Sequence, residues 1–179
     1  FEVEDTKSWE TLEKILLWLK KNLGTSMNAT VNMLRDKMLQ WFLPSDLPSY
    51  LSSLRILNIL LRNFPVSIIN IITDAEKIIM ESIQSNEKVI RDLGCRTLES
   101  ALSINDMPFH YMCISISHLL FSDTNLPSEG LINAVYSVIK SAPQIRTLFT
   151  FAEPPIQRLS KDPSSVNFKL FDTCLTLRF

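Results

Sequence analysis

The chain predicts an all-α fold of about four stacked helix pairs, and three observations lead there. First, four segments share one side-chain phase, anchored at Arg55, Arg91, Asn133 and Lys169. An apolar residue precedes each anchor (Leu54, Ile90, Ile132, Phe168), and another follows two positions later (Leu57, Leu93, Val135, Phe171). The anchors lie 36, 42 and 36 residues apart, and recurrence near this length marks stacked helix-pair arrays. Second, apolar residues recur at the helical period through most of the chain. Third, there are only three glycines, Gly24, Gly94 and Gly130, too few for a β-rich or phosphate-cradling fold.

The elements follow in order. Leu12, Ile15, Leu16, Leu19 and Leu23 predict an amphipathic helix over 8–23, stopped at Gly24. A second helix is predicted over 26–43, with Val31, Leu34, Met38, Trp41 and Phe42 inward. Pro44 and Pro48 bracket a turn containing Asp46, and Ser49 or its neighbour caps a third helix running to about Phe64. Pro65 breaks that helix and can open the next. The run Ile68, Ile69, Ile71, Ile72 is compatible with a buried strand. The stripe Ile72, Ala75, Ile79, Ile83 continues it as a helix, kinked or split at Thr73-Asp74. Asn86 then caps a helix over 87–103, Asp106 or Pro108 opens 107–122, and Ser128-Glu129 opens a helix to Ala142. Pro143, Pro154, Pro155 and Pro163 make any helices in 143–162 short or bent, and a last helix covers 164–178. No linker or low-complexity run interrupts the order, and connections of about 2–8 residues suit antiparallel neighbours. The expected organisation is one helical-repeat domain over 1–179. Its units are 26–64, 66–103, 106–142 and 144–178, with 1–23 as a cap helix or partial repeat. Because it starts at Phe1 and ends at Phe179 inside an apolar pattern, an excised piece of a larger protein is expected.

Segment 79–102 resembles a HEAT repeat. Ile78, Ile79 and Ile83 stand where that family's first helix has its inner face, and Ser85-Asn86-Glu87-Lys88 where it has a short polar turn. The pair Ile90-Arg91, the small Gly94 and Leu98 stand where the second helix has an apolar-Arg pair, a small residue and a leucine. Leu54-Arg55 with Leu61 is similar, with Asn58 at the small position; Ile132-Asn133 and Phe168-Lys169 share only the apolar phase. Asn86 replaces the usual turn aspartate. These departures keep an armadillo-like or irregular solenoid open as the alternative. The resemblance covers 26–178 and implies a right-handed α-α superhelix, an armadillo/HEAT-like solenoid that serves as a scaffold. Gly94 would normally cost a helix about 1 kcal/mol; close approach of a neighbouring helix is the expected reason for it.

Composition bounds the function. At 46% hydrophobic and 21% charged residues, the 179-residue chain can bury a core and is not globally disordered. A net charge of −1 supplies no global drive toward nucleic acid or anionic membrane. No apolar run spans a bilayer, and no signal peptide is expected. Cys95, Cys113 and Cys174 sit in apolar stretches as buried thiols, which fits cytoplasm or nucleus. The triplet Asn28-Ala29-Thr30 falls inside a helix and is no glycosylation marker.

Chemistry is sparse. His110, Cys113 and His118 share one predicted helix, on roughly one side, but no CxxC, HExxH or second pair completes a metal set. No phosphate loop or nucleophile elbow occurs. The chain is therefore expected to be no enzyme, with no catalytic residue, metal, cofactor or small-molecule substrate. Trp9, Trp18, Trp41, Phe42 and Phe64 follow the apolar stripe and read as core rather than base-stacking groups. Trp9 and Trp18 are nine residues apart, and an outward-facing one would make an interface anchor.

The surface candidates are polar positions of the second helices: Ser52, Arg55, Asn58 and Arg62, then Lys88 and Arg91, then Lys169. In the resembled family these helices line a concave face, where Arg55, Arg91 and Lys169 would bind an acidic peptide or phosphates. The competing account has these cations pairing with neighbours, such as Asp74 or Asp92, to hold the stack. A protein or peptide partner bound along the solenoid is the leading expectation, the chain acting as a non-enzymatic scaffold or adaptor segment. One alternative is a nucleic-acid-binding helical repeat, which requires Arg55, Arg62, Arg91, Arg96 and Lys169 on one face. Another is a helical accessory or regulatory bundle of a larger enzyme.

Overall fold

The computed structural model describes residues 2–43, 45–104, 110–121, 128–141 and 172. Among them are seven α-helices and no strand: α1 (Glu2–Leu23), α2 (Asn28–Trp41), α3 (Leu47–Asn63), α4 (Ile72–Ile83), α5 (Lys88–Leu102), α6 (His110–Phe121) and α7 (Glu129–Ser141). Short 3-10 helices, Gly24–Met27 and Pro65–Ile71, precede α2 and α4. The predicted helix over 164–178, the anchor Lys169 and the proline-rich 143–162 lie outside the described residues, apart from the helical Asp172. The chain divides into two compact units, Phe1–Ile78 and Ile79–Phe179.

In the first unit α1 ends because Gly24 takes a left-handed φ of 53°, open to glycine at little cost. The 3-10 turn then seats Met27 in the core. Helices α2 and α3 form an antiparallel hairpin, since Met38 meets Ser53 and Phe42 meets Tyr50. Ser53 is fully buried and donates to the Met38 carbonyl at 2.8 Å, so the buried hydroxyl is satisfied. The Phe42 and Tyr50 rings stack with centroids 5.0 Å apart. The N-cap position of α3 is Asp46 rather than Ser49, and Pro48 sits in the first turn, where its missing N–H costs nothing. The Asp46 carboxylate accepts the Ser49 hydroxyl instead of capping the backbone. Leu54, Leu57, Leu60 and Leu61 make α3 the centre of this core, each contributing about 1.5–3 kcal/mol by burial.

The helix expected over 66–85 is divided. Pro65 ends α3, Ser67 closes a tight turn onto the Phe64 carbonyl, and the chain winds as a 3-10 helix until Ile72. β-branched residues in succession crowd an α-turn and weaken its preference. Burial of Ile68, fully enclosed, holds the tighter turn in place. The split falls just before Thr73-Asp74, and the strand reading is not realised.

In the second unit the last residues of α4, from Ile79, and α5 form an antiparallel hairpin, with Ser82 against Gly94 and the turn Ser85-Asn86 against Arg91. A Cβ on Gly94 would lie 2.7 Å from the Ser82 Cβ and 3.1 Å from the Ile83 nitrogen. The close approach expected from the sequence is therefore present. The N-cap position of α5 is Glu87, not Asn86, and makes no side-chain cap. Along its other side α5 lies against α7: a Cβ on Gly130 would sit 3.3 Å from the Cys95 sulfur. Ser128 caps α7, accepting from the Leu131 N–H at 3.2 Å. Ile79, Leu98, Met112, Ile116 and Ile132 are fully or nearly fully buried.

The inner stripe predicted for α1 is turned. Leu16 is buried, but Ile15 is 49% and Leu23 51% exposed. The edge of α1 that meets α3 is instead Trp9, Glu13, Leu16 and Lys20. These residues share one side of the helix, centred about 130° from Ile15. Trp41, expected inward, is also partly exposed.

Candidate functional site

The polar stripe of α3 is directed largely at α1. The Arg55 guanidinium lies over the Trp9 ring at 5.7 Å. Arg62 pairs with Glu13 at 3.4 Å, and Asn63 donates to the same carboxylate at 2.8 Å. Lys20 reaches the Asn63 carbonyl at 2.7 Å and lies 5.1 Å from the Phe64 ring centre. From 9 to 20 on α1 the partners advance from 55 to 64, so α1 and α3 run parallel. Ser52 donates to the Pro48 carbonyl within its own helix, and Asn58 is half-buried. Of the four residues expected in a ligand-facing row, Arg55 and Arg62 reach side chains of α1, while Ser52 bonds within α3. The signal missed in the sequence was on α1: Trp9, Glu13 and Lys20 share a helical edge and supply an aromatic, an acid and a cation in turn.

On α5 the two candidates differ. Arg91 donates to the carbonyls of Ser85 at 2.7 Å and Asn86 at 2.8 Å. These carbonyls lie just past the end of α4, where unsatisfied acceptors and negative dipole favour a cation. Arg91 therefore fastens a turn, and its partners are backbone carbonyls rather than Asp74 or Asp92. Lys88 is exposed in the first turn of α5. Arg55 and Arg91 belong to different compact units, and Lys169 is not among the described residues.

Lys88 and Arg91 line an open cleft of about 450 Å³ where the N-terminal turns of α5 and α7 lie side by side. Asp92, Glu129 and the anchor Asn133 complete its polar wall, and Cys95 lies at its base. The parallel course of α5 and α7 follows from Gly130 meeting Cys95 and Ser137 donating to Glu99. Burial and the nearby Asp92 push the Cys95 thiol from 9.0 up to about 11, against a smaller opposing effect of Arg91. At neutral pH it is a protonated thiol, which is a poor nucleophile.

The expected grouping of His110, Cys113 and His118 on one side does not form, because Cys113 is fully buried while His118 is exposed. The His110 side chain lies outside the description. Among the described residues no three His, Cys, Asp or Glu side chains gather as a metal site. Cys95 and Cys113 are buried and, among the described residues, neither is in a disulfide; Cys174 falls outside the described residues. No described helix is long and apolar enough to cross a membrane.

Of the two tryptophans in α1, Trp9 is covered by Arg55 and Trp18 is 63% exposed. Compared with protein-family models, curated proteins and solved structures, the chain matches none.

Proposed function

We propose that this protein is a non-enzymatic interaction scaffold. In this reading a HEAT-like, right-handed helical array binds a protein or peptide partner along the surface its successive hairpins make. The observation that carries it is a packing rule found in each unit. An antiparallel hairpin (α2 with α3, α4 with α5) supplies one helix that runs parallel to a helix outside that hairpin (α1 with α3, α5 with α7). Alternation of this kind is how stacked repeats complete each other's burial. The burial of Cys95 and Cys113 as thiols outside any disulfide supports residence in cytoplasm or nucleus.

The exposed polar positions around the α5–α7 cleft, chiefly Lys88 and Asn133, are the groups free to meet a partner without dismantling a turn. A pull-down from cell extract comparing wild type with Lys88→Glu/Asn133→Arg tests this surface, and selective loss of one partner is expected. Equal recovery of every partner removes the cleft from the binding surface. Small-angle scattering tests the array itself. A globule of this length has a radius of gyration of about 16 Å, and a value that small overturns the superhelix.

A further inference from the structure

Helix α1 shows two faces of opposite character. Trp9, Glu13, Leu16 and Lys20 meet α3 or the core. Trp18 lies about 180° away around the helix and is 63% exposed, with Ile15 beside it at 49%. Lys7, Lys14 and Lys21 run along this outer face at intervals of seven residues, and all three are exposed. Seven residues is two helical turns, so the three ammonium groups form a nearly straight row within about 60° of Trp18. Among the described side chains none makes an ion pair to these lysines; in the sequence, Glu4 and Glu10 are the acidic positions on that side of the helix. The opposite cation, Lys20, is engaged with Asn63 and Phe64.

We infer that the outer face of α1 is a docking surface for an acidic amphipathic helix, which would lay apolar residues on Trp18 and Ile15 and carboxylates along Lys7, Lys14 and Lys21. A cation every seventh residue beside an apolar seam is the pattern by which paired helices select an oppositely charged partner. A large exposed aromatic at the centre supplies the anchor such interfaces need. A second copy of α1 fits poorly, because it would bring lysine against lysine. A bilayer fits poorly as well. Ser8, Thr11 and Asn22 interrupt the apolar row, leaving too narrow a strip for burial among lipid chains. The inference rests on the scaffold reading but concerns a different surface from the α5–α7 cleft.

The test uses the full chain and a synthetic three-heptad peptide with leucine at a and d and glutamate at e and g. Its counterpart carries lysine at e and g. The glutamate peptide is expected to bind and to shift tryptophan emission to the blue, and Trp18→Phe should abolish that shift. The variant Lys7→Glu/Lys14→Glu/Lys21→Glu should bind it about tenfold more weakly or worse and should now take the lysine peptide, which shows that the variant is folded. Absence of binding, binding unchanged by lysine reversal, or binding only to phosphatidylserine vesicles overturns the inference. If the peptide fails while Lys88→Glu/Asn133→Arg still loses a cellular partner, the scaffold reading stands without this surface. If the peptide binds while that variant loses nothing, the partner surface is α1 alone.

Discussion

Helices α1 and α3 are held together by reaching; α5 and its neighbours are held by closeness. In the first unit long side chains span the gap: Lys20 to the end of α3, Glu13 to Arg62 and Asn63, Arg55 over Trp9. In the second, glycine removes the side chain and lets the next helix in, Gly94 against Ser82 and Gly130 against Cys95. Contact between neighbouring helices is thus made by two chemistries. The reaching contact depends on charge and is screened by salt. The close contact depends on volume and is not. The first is adjustable, because long side chains can find new rotamers. The second is stiff, because the backbone itself is in the way.

The largest expected effect tests the stiff side. Gly94→Ala gains about 1 kcal/mol of helix preference, yet its methyl would meet Ser82 and the Ile83 backbone. A net loss of about 1–3 kcal/mol in urea unfolding is expected, with partial recovery in Ser82→Gly/Gly94→Ala. A stabilised Gly94→Ala with unmoved neighbours would falsify the close-packing account. Next comes the reaching side. Glu13→Ala should cost about 1–2 kcal/mol, while Glu13→Gln, which keeps an acceptor for Asn63, should cost less. The ion-pair share should shrink in high salt, and a salt-independent loss would show that the charge is incidental.

Gly130→Ala sharpens the contrast, since its nearest neighbour is a side-chain sulfur that can yield. A change within about 0.5 kcal/mol is expected, and a cost as large as that at Gly94 would make both crossings equally rigid. The smallest effect at neutral pH is that of the Cys95 proton. Its folded pKa is raised from 9.0 to about 11, so the native state retains a proton that the unfolded chain releases. The corresponding stability is full below pH 9 and declines as pH rises from 9 toward 11. Cys95→Ala should lack that share of the alkaline loss, and superimposable pH profiles would rule it out.

Periodicity made the helices legible. Leu54, Ile90 and Ile132, the residues before three anchors, are all buried, as are Leu57 and Val135 two positions after. Gly94 was readable because a glycine in the middle of a strong helix needs a reason, and a near neighbour supplies one. Fine structure was less legible. The 3-10 segment at Pro65–Ile71 depends on where Ile68 is buried, a tertiary effect that local preference does not encode. The rotation of α1 was missed because its buried edge is built from Trp9, Glu13 and Lys20, whose apolar stems and polar tips defeat a hydrophobicity stripe. For the candidate site, the spacing of Arg55 and Arg91 marked repeat positions but not their duties. Whether an arginine reaches a ring, a carbonyl or a ligand is decided by the element opposite.

The Ser82–Gly94 crossing has a mechanical corollary. Sliding α4 by one turn along α5 would bring Ser82 against Ile90 or Leu98, four residues either side of the glycine. Only one register admits the contact, so the hairpin is keyed like a notch and pin. It can swivel about the notch, but it cannot creep lengthwise under tension.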